Sequence, residues 1–314
     1  MQIWLGPKNI PCFEQGCALT IGNFDGVHLG HKHILRRLKD EAITRQLPAV
    51  LLTFEPHPKA YFAKKAGHQP PARLSSLRDK LQLLEDTHCL DAVWVLRFNQ
   101  QLANLSATSF IDKVLLSTLK TRYLLIGDDF KFGAERQGDI NLLKQQTQFV
   151  TDVTPSILVQ SQRASSTYIR DTLTDGQLDN AARTLGHDFF ISGKVKHGAK
   201  RGRTLGYPTA NIHLQKALYP LGGVFVVEVT GSFGKRGGAA SLGLNPTVSN
   251  TKEQKLEVFI FDLHEDLYGQ NITVHFLKKL RDEVKFDSLE SLKAQIEQDE
   301  LEARHYLSTL KREN

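Results

Sequence analysis

The stretch "ALTIGNFDGVHLGHKHIL", residues 18–35, decides how the first half of the chain is read. Its apolar start, "CALTI" at 17–21, is short and closed by glycine, as a buried strand is. "HKHILRRLKDEAITRQ", residues 31–46, then carries Ile34, Leu35, Leu38, Ala42 and Ile43 at helical spacing. The spacing predicts strand, tight turn and helix. Such a turn aims free backbone N–H groups and the positive end of the helix dipole at whatever lies over it, which favours an anion such as phosphate. Gly22, Gly26 and Gly30 are expected to let a ligand approach the backbone, and His28 and His31 to donate hydrogen bonds to phosphate oxygens. One histidine at a helix start usually just caps it. The H-x-G-H spacing behind a buried strand favours a polyphosphate instead.

Outward from this unit, "AVLLTF" (49–54), "AVWVL" (92–96), "YLLIG" (123–127) and a weaker "FVTDVTPSILV" (149–159) alternate with helical patterns near 31–46, 75–88, 107–120 and 138–147. That alternation predicts a doubly wound, Rossmann-like parallel α/β sheet. After "AARTLGHDFFISGKV" (181–195) the texture changes to "GVFVVEVTG" (223–231), "LEVFIFDL" (256–263) and "NITVHFL" (271–277), separated by glycine-rich turns. Short strands at this spacing predict an antiparallel β-barrel or sandwich. The tail from Asp287 opens on a capping box at Ser288 and Ser291 and continues as a C-terminal helix. Two domains are expected, residues 1–185 and 186–314.

With 314 residues, 40% hydrophobic and 24% charged, the chain has the composition of a soluble globular protein of about two domains. The net charge of +6 suits nucleotides as well as nucleic acid, and no long lysine or arginine block argues for the latter. There is neither a secretory leader pattern nor a run of about 18 apolar residues, so a cytoplasmic protein without a membrane partner is expected. Cys12, Cys17 and Cys89 lack C-x-x-C spacing, which leaves no disulfide framework or zinc site and points to reduced thiols.

"RASSTYIRDTL", residues 163–173, sets Ser165, Ser166 and Thr167 before a helix with Arg170 one turn on. Hydroxyls there often only cap, but with an arginine they form a second phosphate grip. "TFEPHP" (53–58) and "IGDDFKFG" (126–133) lie at the carboxyl ends of strands, where open α/β sheets bind ligands, and a flat ring can stack on Phe130 or Phe132. In the β half, "GKVKHGAKRGRTLGYPTANIHL" (193–214) forms a basic loop with Gly198, Lys200, Arg201, Gly202, Arg203 and Gly206. In "PTAN" Thr209 and Asn211 fall on one face of an extended segment and offer hard oxygens of the kind Mg²⁺ accepts. Along "KLEVFIFD" (255–262), Glu257 shares a face with Phe259 and Phe261, which reads equally as surroundings that raise its pKa toward that of a general base or as a glutamate exposed on an edge strand of a barrel.

Together "GNFDGVHLGH", "TFEPHP", "IGDDFKFG" and "SSTYIR" resemble the nucleotidyltransferase domain of the bifunctional bacterial riboflavin kinase and FMN adenylyltransferase family, also called FAD synthetase. "PTAN", "LEV", "LYPLGGVFVVEV", "LGLNPTV" and "LRDEVKF" are similar to its kinase domain, so the resemblance covers nearly the whole chain. It implies an α/β domain that adenylylates FMN to FAD, then an antiparallel barrel that phosphorylates riboflavin, both using ATP and Mg²⁺. It implies ATP binding by Gly22, Asn23, Phe24, Asp25, His28, His31, Ser165, Ser166, Thr167, Arg170, Gly198, Arg203, Thr209 and Asn211. Thr209 and Asn211 also hold the metal, and Phe54, Pro56, His57, Asp129, Phe130, Glu257 and Arg281 contact flavin. Glu257, His28 and His31 are the implied catalytic residues. Tyr168, where many members have arginine, and Ala164, in place of a bulkier aliphatic residue, depart from the pattern. A nucleotidyltransferase for another vitamin precursor, a flavin-binding regulator and a nucleic-acid module are the rival readings. The β half argues against the first, the intact candidate side chains against the second, and the lack of a basic, aromatic stripe against the third. Partners are expected to be small molecules, and an oligomer is not implied.

Overall fold

The computed structural model describes residues 1–6, 13–198, 206–214, 218–245 and 253–313. Arg203, Lys200, Arg201, Gly202 and Cys12 lie outside them. The chain divides into two compact units, Met1–Pro71 with Lys80–Ser165 and Ala72–Asp79 with Ser166–Asn314.

The first unit is built on a parallel sheet. In chain order come β1 (Gln2–Leu5), β2 (Cys17–Ile21), α1 (Leu29–Arg45), β3 (Ala49–Glu55), α2 (Pro58–Lys65) and α3 (Leu77–Glu85). They are followed by β4 (Ala92–Arg97), α4 (Gln100–Ala103), α5 (Ala107–Phe110), β5 (Thr121–Gly127), α6 (Ile140–Lys144) and β6 (Val150–Thr154). Helix α5 runs on as a π-helix over Ile111–Thr118. The strands lie in the order β1-β4-β3-β2-β5-β6, all parallel. Strands β2, β3 and β4 are mostly apolar and buried over five consecutive residues each, as a central parallel strand covered on both faces is. One face packs Leu19, Val50, Leu52, Trp94 and Leu124 against Phe110, Ile111 and Leu115. The carboxyl ends of β2, β3 and β5 thus deliver the 22–28 turn, the 53–58 loop and the 126–133 loop.

Two departures from the sequence reading stand out. Gln2–Leu5 adds an edge strand beside β4, and the weak 149–159 pattern divides into β6 and a short hairpin, β7 (Leu158–Val159) with β8 (Gln162–Arg163). Pro155 has no N–H to give a ladder, which favours ending β6 just before it.

The second unit begins with α7 (Ser166–Thr174) and α8 (Leu178–Leu185), then β9 (Phe190–Lys196) and β10 (Ala210–Ile212). After β11 (Gly223–Gly231), β12 (Gly234–Asn245), β13 (Glu253–Ile260) and β14 (Asn271–Arg281), the chain ends in α9 (Leu289–Glu313). The strands close an antiparallel barrel in the order β10-β13-β12-β11-β14-β9, a barrel rather than a sandwich. Its core holds Phe225, Val227, Leu242, Leu256, Val258 and Phe276, joined by Ile169, Leu173 and Leu185 from α7 and α8 and by Leu74. Arg73 N–H donates to the Leu218 carbonyl at 2.7 Å, and Arg78 reaches Asn271 Oδ1 at 2.8 Å. On α9, Ala303 packs against Val226 and Phe261, with Phe259 and Leu280 alongside. Ser288 Oγ accepts from the Ser291 N–H at 3.1 Å, and Ser291 Oγ accepts from the Ser288 N–H at 3.4 Å, a reciprocal cap.

Candidate active sites

In the first unit the turn between β2 and α1 is tight and strained. Phe24 has φ 49° and Val27 φ 41°, in the left-handed region that bulky and β-branched side chains avoid, and both side chains are buried. Gly26, at φ 76°, sits where glycine is at ease. His28 caps α1, its Nδ1 accepting from the His31 N–H at 3.4 Å, and its ring stacks on that of His31 at 3.6 Å. His31 in turn stacks on Phe24 at 4.5 Å. The cap engages one of the two ring nitrogens of His28. Burial, His28 and Lys80 push the His31 pKa well below its ordinary 6.5. His31 Nδ1 and Asn23 Oδ1 are buried without hydrogen-bond partners among the described residues, and Asp25 is buried beside them in sequence.

At Gly22 and Gly30 a side chain would meet the protein's own atoms. A Cβ on Gly22 would lie 2.8 Å from the Phe24 ring, and one on Gly30 would lie 3.1 Å from the His28 ring and 3.3 Å from the Ala164 carbonyl oxygen. The room these glycines leave is filled by the protein's own rings and backbone, which set the turn's shape. The Ala164 contact also brings the chain just ahead of Ser165 to the mouth of α1.

Beside this turn the 53–58 loop carries Phe54, Pro56 and His57. His57 caps α2, its Nδ1 accepting from the Lys59 N–H at 3.0 Å. Phe54 meets Phe98 edge-on at 5.9 Å, and Phe98 also touches Tyr61 at 5.3 Å and Phe62 at 5.7 Å. Phe62 is half exposed, so this aromatic cluster offers a ring surface that the motifs did not reveal. In the 126–133 loop, Phe130 stacks on buried Phe132 at 5.7 Å. Asp129 and Asp128 hold Arg163 at 2.9 Å and 3.4 Å.

Ser166, Thr167 and Arg170 open α7 in the second unit. Arg170 Nε donates to the Ala72 carbonyl at 2.7 Å, and its Nη1 to the Ser166 carbonyl at 3.1 Å. On the barrel, Asn211 of β10 lies directly opposite Glu257 of β13 and Lys196 of β9, and Glu257 lies opposite Ser241 of β12. Thr209 Oγ1 donates to Glu257 Oε2 at 3.5 Å. Asn211 Oδ1 is buried and has no hydrogen-bond partner among the described residues, and Gly198 lies so close over the amide that a Cβ there would be 2.3 Å from Nδ2. The expected aromatic surroundings of Glu257 are a correction: its carboxylate pairs with Lys255, two residues along the same face, and stays about one-third exposed. Phe259 turns instead to Tyr207 and Phe261, at 5.2 Å and 5.5 Å. Arg281 is held by Asp299 of α9 through Nε at 2.9 Å and Nη2 at 2.7 Å.

Among the described residues no group of three or more His, Cys, Asp or Glu side chains is placed to hold a metal. The oxygens of Thr209 and Asn211 are a different donor set, and the unpartnered Asn211 Oδ1 fits a hard cation. Cys17 is no nucleophile candidate, since burial pushes its thiol up to about 12.

A family model for FAD synthetase matches residues 11–168, and one for riboflavin kinase matches residues 185–307. The bifunctional riboflavin kinase/FMN adenylyltransferase of Haemophilus influenzae is 42% identical over 313 residues, covering 98% of this chain and 100% of its own length. That of Escherichia coli K12 is 44% identical over 303 residues, covering 95% of each chain. The chain belongs to the bifunctional riboflavin kinase/FMN adenylyltransferase family. It is an ATP-dependent enzyme that phosphorylates riboflavin and adenylylates FMN. A solved structure described as a macrolide-efflux protein from Streptococcus pneumoniae also superposes, with a TM-score of 0.80 at 30% identity, covering 97% of this chain and 99% of that one. Among the described residues no helix is long and apolar enough to cross a membrane.

Proposed function

We propose that the two reactions divide along the chain, adenylylation in residues 1–185 and phosphorylation in 186–314. In the kinase step, Glu257 takes the proton from the terminal ribityl hydroxyl as that oxygen attacks the γ-phosphate of ATP and ADP leaves. Thr209 and Asn211 hold Mg²⁺, which when bound offsets phosphate charge. Gly198 and Arg203 join them in binding ATP. In the second step, an FMN phosphate oxygen attacks the α-phosphate of a second ATP and pyrophosphate leaves. His28, His31 and the α1 N-terminus steady the developing charge.

The 22–25 turn, Ser165, Ser166, Thr167 and Arg170 complete the ATP contacts. Phe54, Pro56, His57, Asp129 and Phe130 receive the flavin of FMN, and Glu257 and Arg281 receive riboflavin. Riboflavin, FMN and ATP are then the only partners required, with no nucleic acid or membrane and no oligomer needed. A cytoplasmic location is supported by the free thiols of Cys17 and Cys89.

One observation carries the division. Each unit keeps a buried, unpartnered side-chain atom inside its own motif, His31 Nδ1 in the first and Asn211 Oδ1 in the second. A polar group buried without a partner costs about 1–3 kcal/mol, which a ligand can repay. The test uses the full chain and separates flavin products after incubation with riboflavin or with FMN. His31→Ala should lose roughly a hundredfold in adenylylation, about 3 kcal/mol, with phosphorylation spared. Asn211→Ala should do the reverse. Equal losses in both reactions from either variant would overturn the division.

A further inference from the structure

Lys80, on α3 and outside every motif above, is among the most buried charged residues described, only 6% exposed. Its Nζ donates to the Asn23 carbonyl and to Thr53 Oγ1, each at 3.2 Å. Thr53 Oγ1 also donates to the same Asn23 carbonyl at 3.2 Å, and Thr53 is fully buried at the end of β3. Two side chains, from α3 and β3, therefore meet at one backbone oxygen of the 22–28 turn. We propose that Lys80 is a positioning residue for FMN adenylylation, its buried ammonium locking the Asn23 carbonyl to Thr53 and so holding the turn in the shape that presents His31.

Two physical points favour this over simple packing. Burying an ammonium costs several kcal/mol, so an aliphatic side chain would serve a merely structural role at this place more cheaply. The turn also needs an external restraint, because the left-handed conformations of Phe24 and Val27 persist only where surrounding contacts over-determine them. The carbonyl that Lys80 grips belongs to Asn23, the residue directly before Phe24, and Phe24 is the ring on which His31 stacks. A shift at Asn23 is thus passed to the His31 ring through one packed contact.

The charge has a second consequence. The charged or titratable groups acting on His31 are His28 at the start of α1 and Lys80 on α3, and both oppose its protonation, adding to burial. Asp25 lies in the same turn. With Lys80 in place, His31 is neutral at physiological pH and retains one N–H to donate to phosphate.

The experiment compares Lys80→Met, Lys80→Gln and Lys80→Arg in the full chain, measuring kcat and KM for both reactions and the pH profile of adenylylation. Lys80→Met should lower adenylylation kcat about 30- to 100-fold, the scale of a misplacement of about 1 Å at a reacting group, with phosphorylation within about twofold. Lys80→Gln keeps a hydrogen-bond donor but no charge. It should move the acid limb of adenylylation to higher pH, an effect a packing role would not produce, and Lys80→Arg should keep the parental limb. Where Lys80→Met does not fold, as judged by its phosphorylation rate and circular dichroism, the Gln and Arg pair decides. Adenylylation within threefold of the parent and an unmoved acid limb in Lys80→Gln would overturn the proposal. It rests on adenylylation taking place at the histidine turn. A fully active His31→Ala variant sinks that placement, whereas an inactive His31→Ala beside an unaffected Lys80→Gln sinks this inference alone.

Discussion

Replacing Gly198 by alanine should silence riboflavin phosphorylation while leaving the fold and FMN adenylylation in place. Gly198 is not among the glycines with positive φ, so alanine meets no backbone penalty there. The whole effect falls on the amide beneath it. A Cβ would stand 2.3 Å from Asn211 Nδ2, 2.4 Å from Cγ and 2.5 Å from Oδ1. Flipping the amide exchanges oxygen for nitrogen but leaves Cγ where it is, so χ1 must change or the strand must yield. Ordinary contact begins at 3.4 Å, so the amide retreats by about 1 Å. A 1 Å error at a positioning group costs about a hundredfold in rate, equivalent to about 2.7 kcal/mol of barrier. The alanine also restricts the unfolded chain, which offsets part of the strain of this overlap, so thermal stability should fall only slightly. Initial rates of ADP release with riboflavin and of pyrophosphate release with FMN, from one preparation, test this. Phosphorylation within threefold of the parent would refute the reasoning, and so would an equal loss of adenylylation.

Two further expectations concern stability. Because the His31 pKa in the fold lies well below the unfolded value of 6.5, the unfolded chain binds more protons as pH falls below 6.5. The contribution is therefore intact above pH 6.5 and shrinks toward the depressed native pKa. Urea unfolding should show the parent losing about 1 kcal/mol more than His31→Gln between pH 7 and pH 5.5, and equal losses would contradict the burial argument. Arg281→Met should cost about 3 kcal/mol by stranding Asp299, whose side chain is only 8% exposed, and a cost below about 1 kcal/mol would show the pair to be unimportant.

How much of this was legible in the sequence depends on the distance over which each signal acts. The β2–turn–α1 unit is encoded locally, in an apolar run, a glycine and a helical period within 30 residues, and it was readable for that reason. The β13 alternation likewise placed Leu256, Val258 and Ile260 inside the barrel. What escaped depends on partners far along the chain. Lysine on an amphipathic helix reads by default as solvated, and only the arrival of Asn23 and Thr53 makes Lys80 a buried clamp. Phe98 completes the aromatic cluster around Phe54 and Tyr61 from the end of another strand. Gly22 and Gly30 announced room without saying what fills it.

The division of the chain shows the same limit more sharply. A texture change near residue 186 is visible because strand patterns replace helical ones, and motif order follows it. Compactness follows side-chain burial instead: Ile169, Leu173 and Leu185 precede that change yet pack into the barrel core, and Leu74 joins them from almost a hundred residues earlier. No local pattern at Leu74 or Arg73 names Leu218 as a neighbour. The helical residues before 186 therefore serve two masters. Ser166 and Arg170 read in the sequence as a nucleotide grip, yet they fall in the barrel's compact unit. A fragment cut at 186 would expose the apolar partners of α7 and α8, so its loss of activity would report unfolding as readily as misassigned chemistry. Point substitutions that spare the core, such as Gly198→Ala, separate the two reactions more cleanly than any truncation.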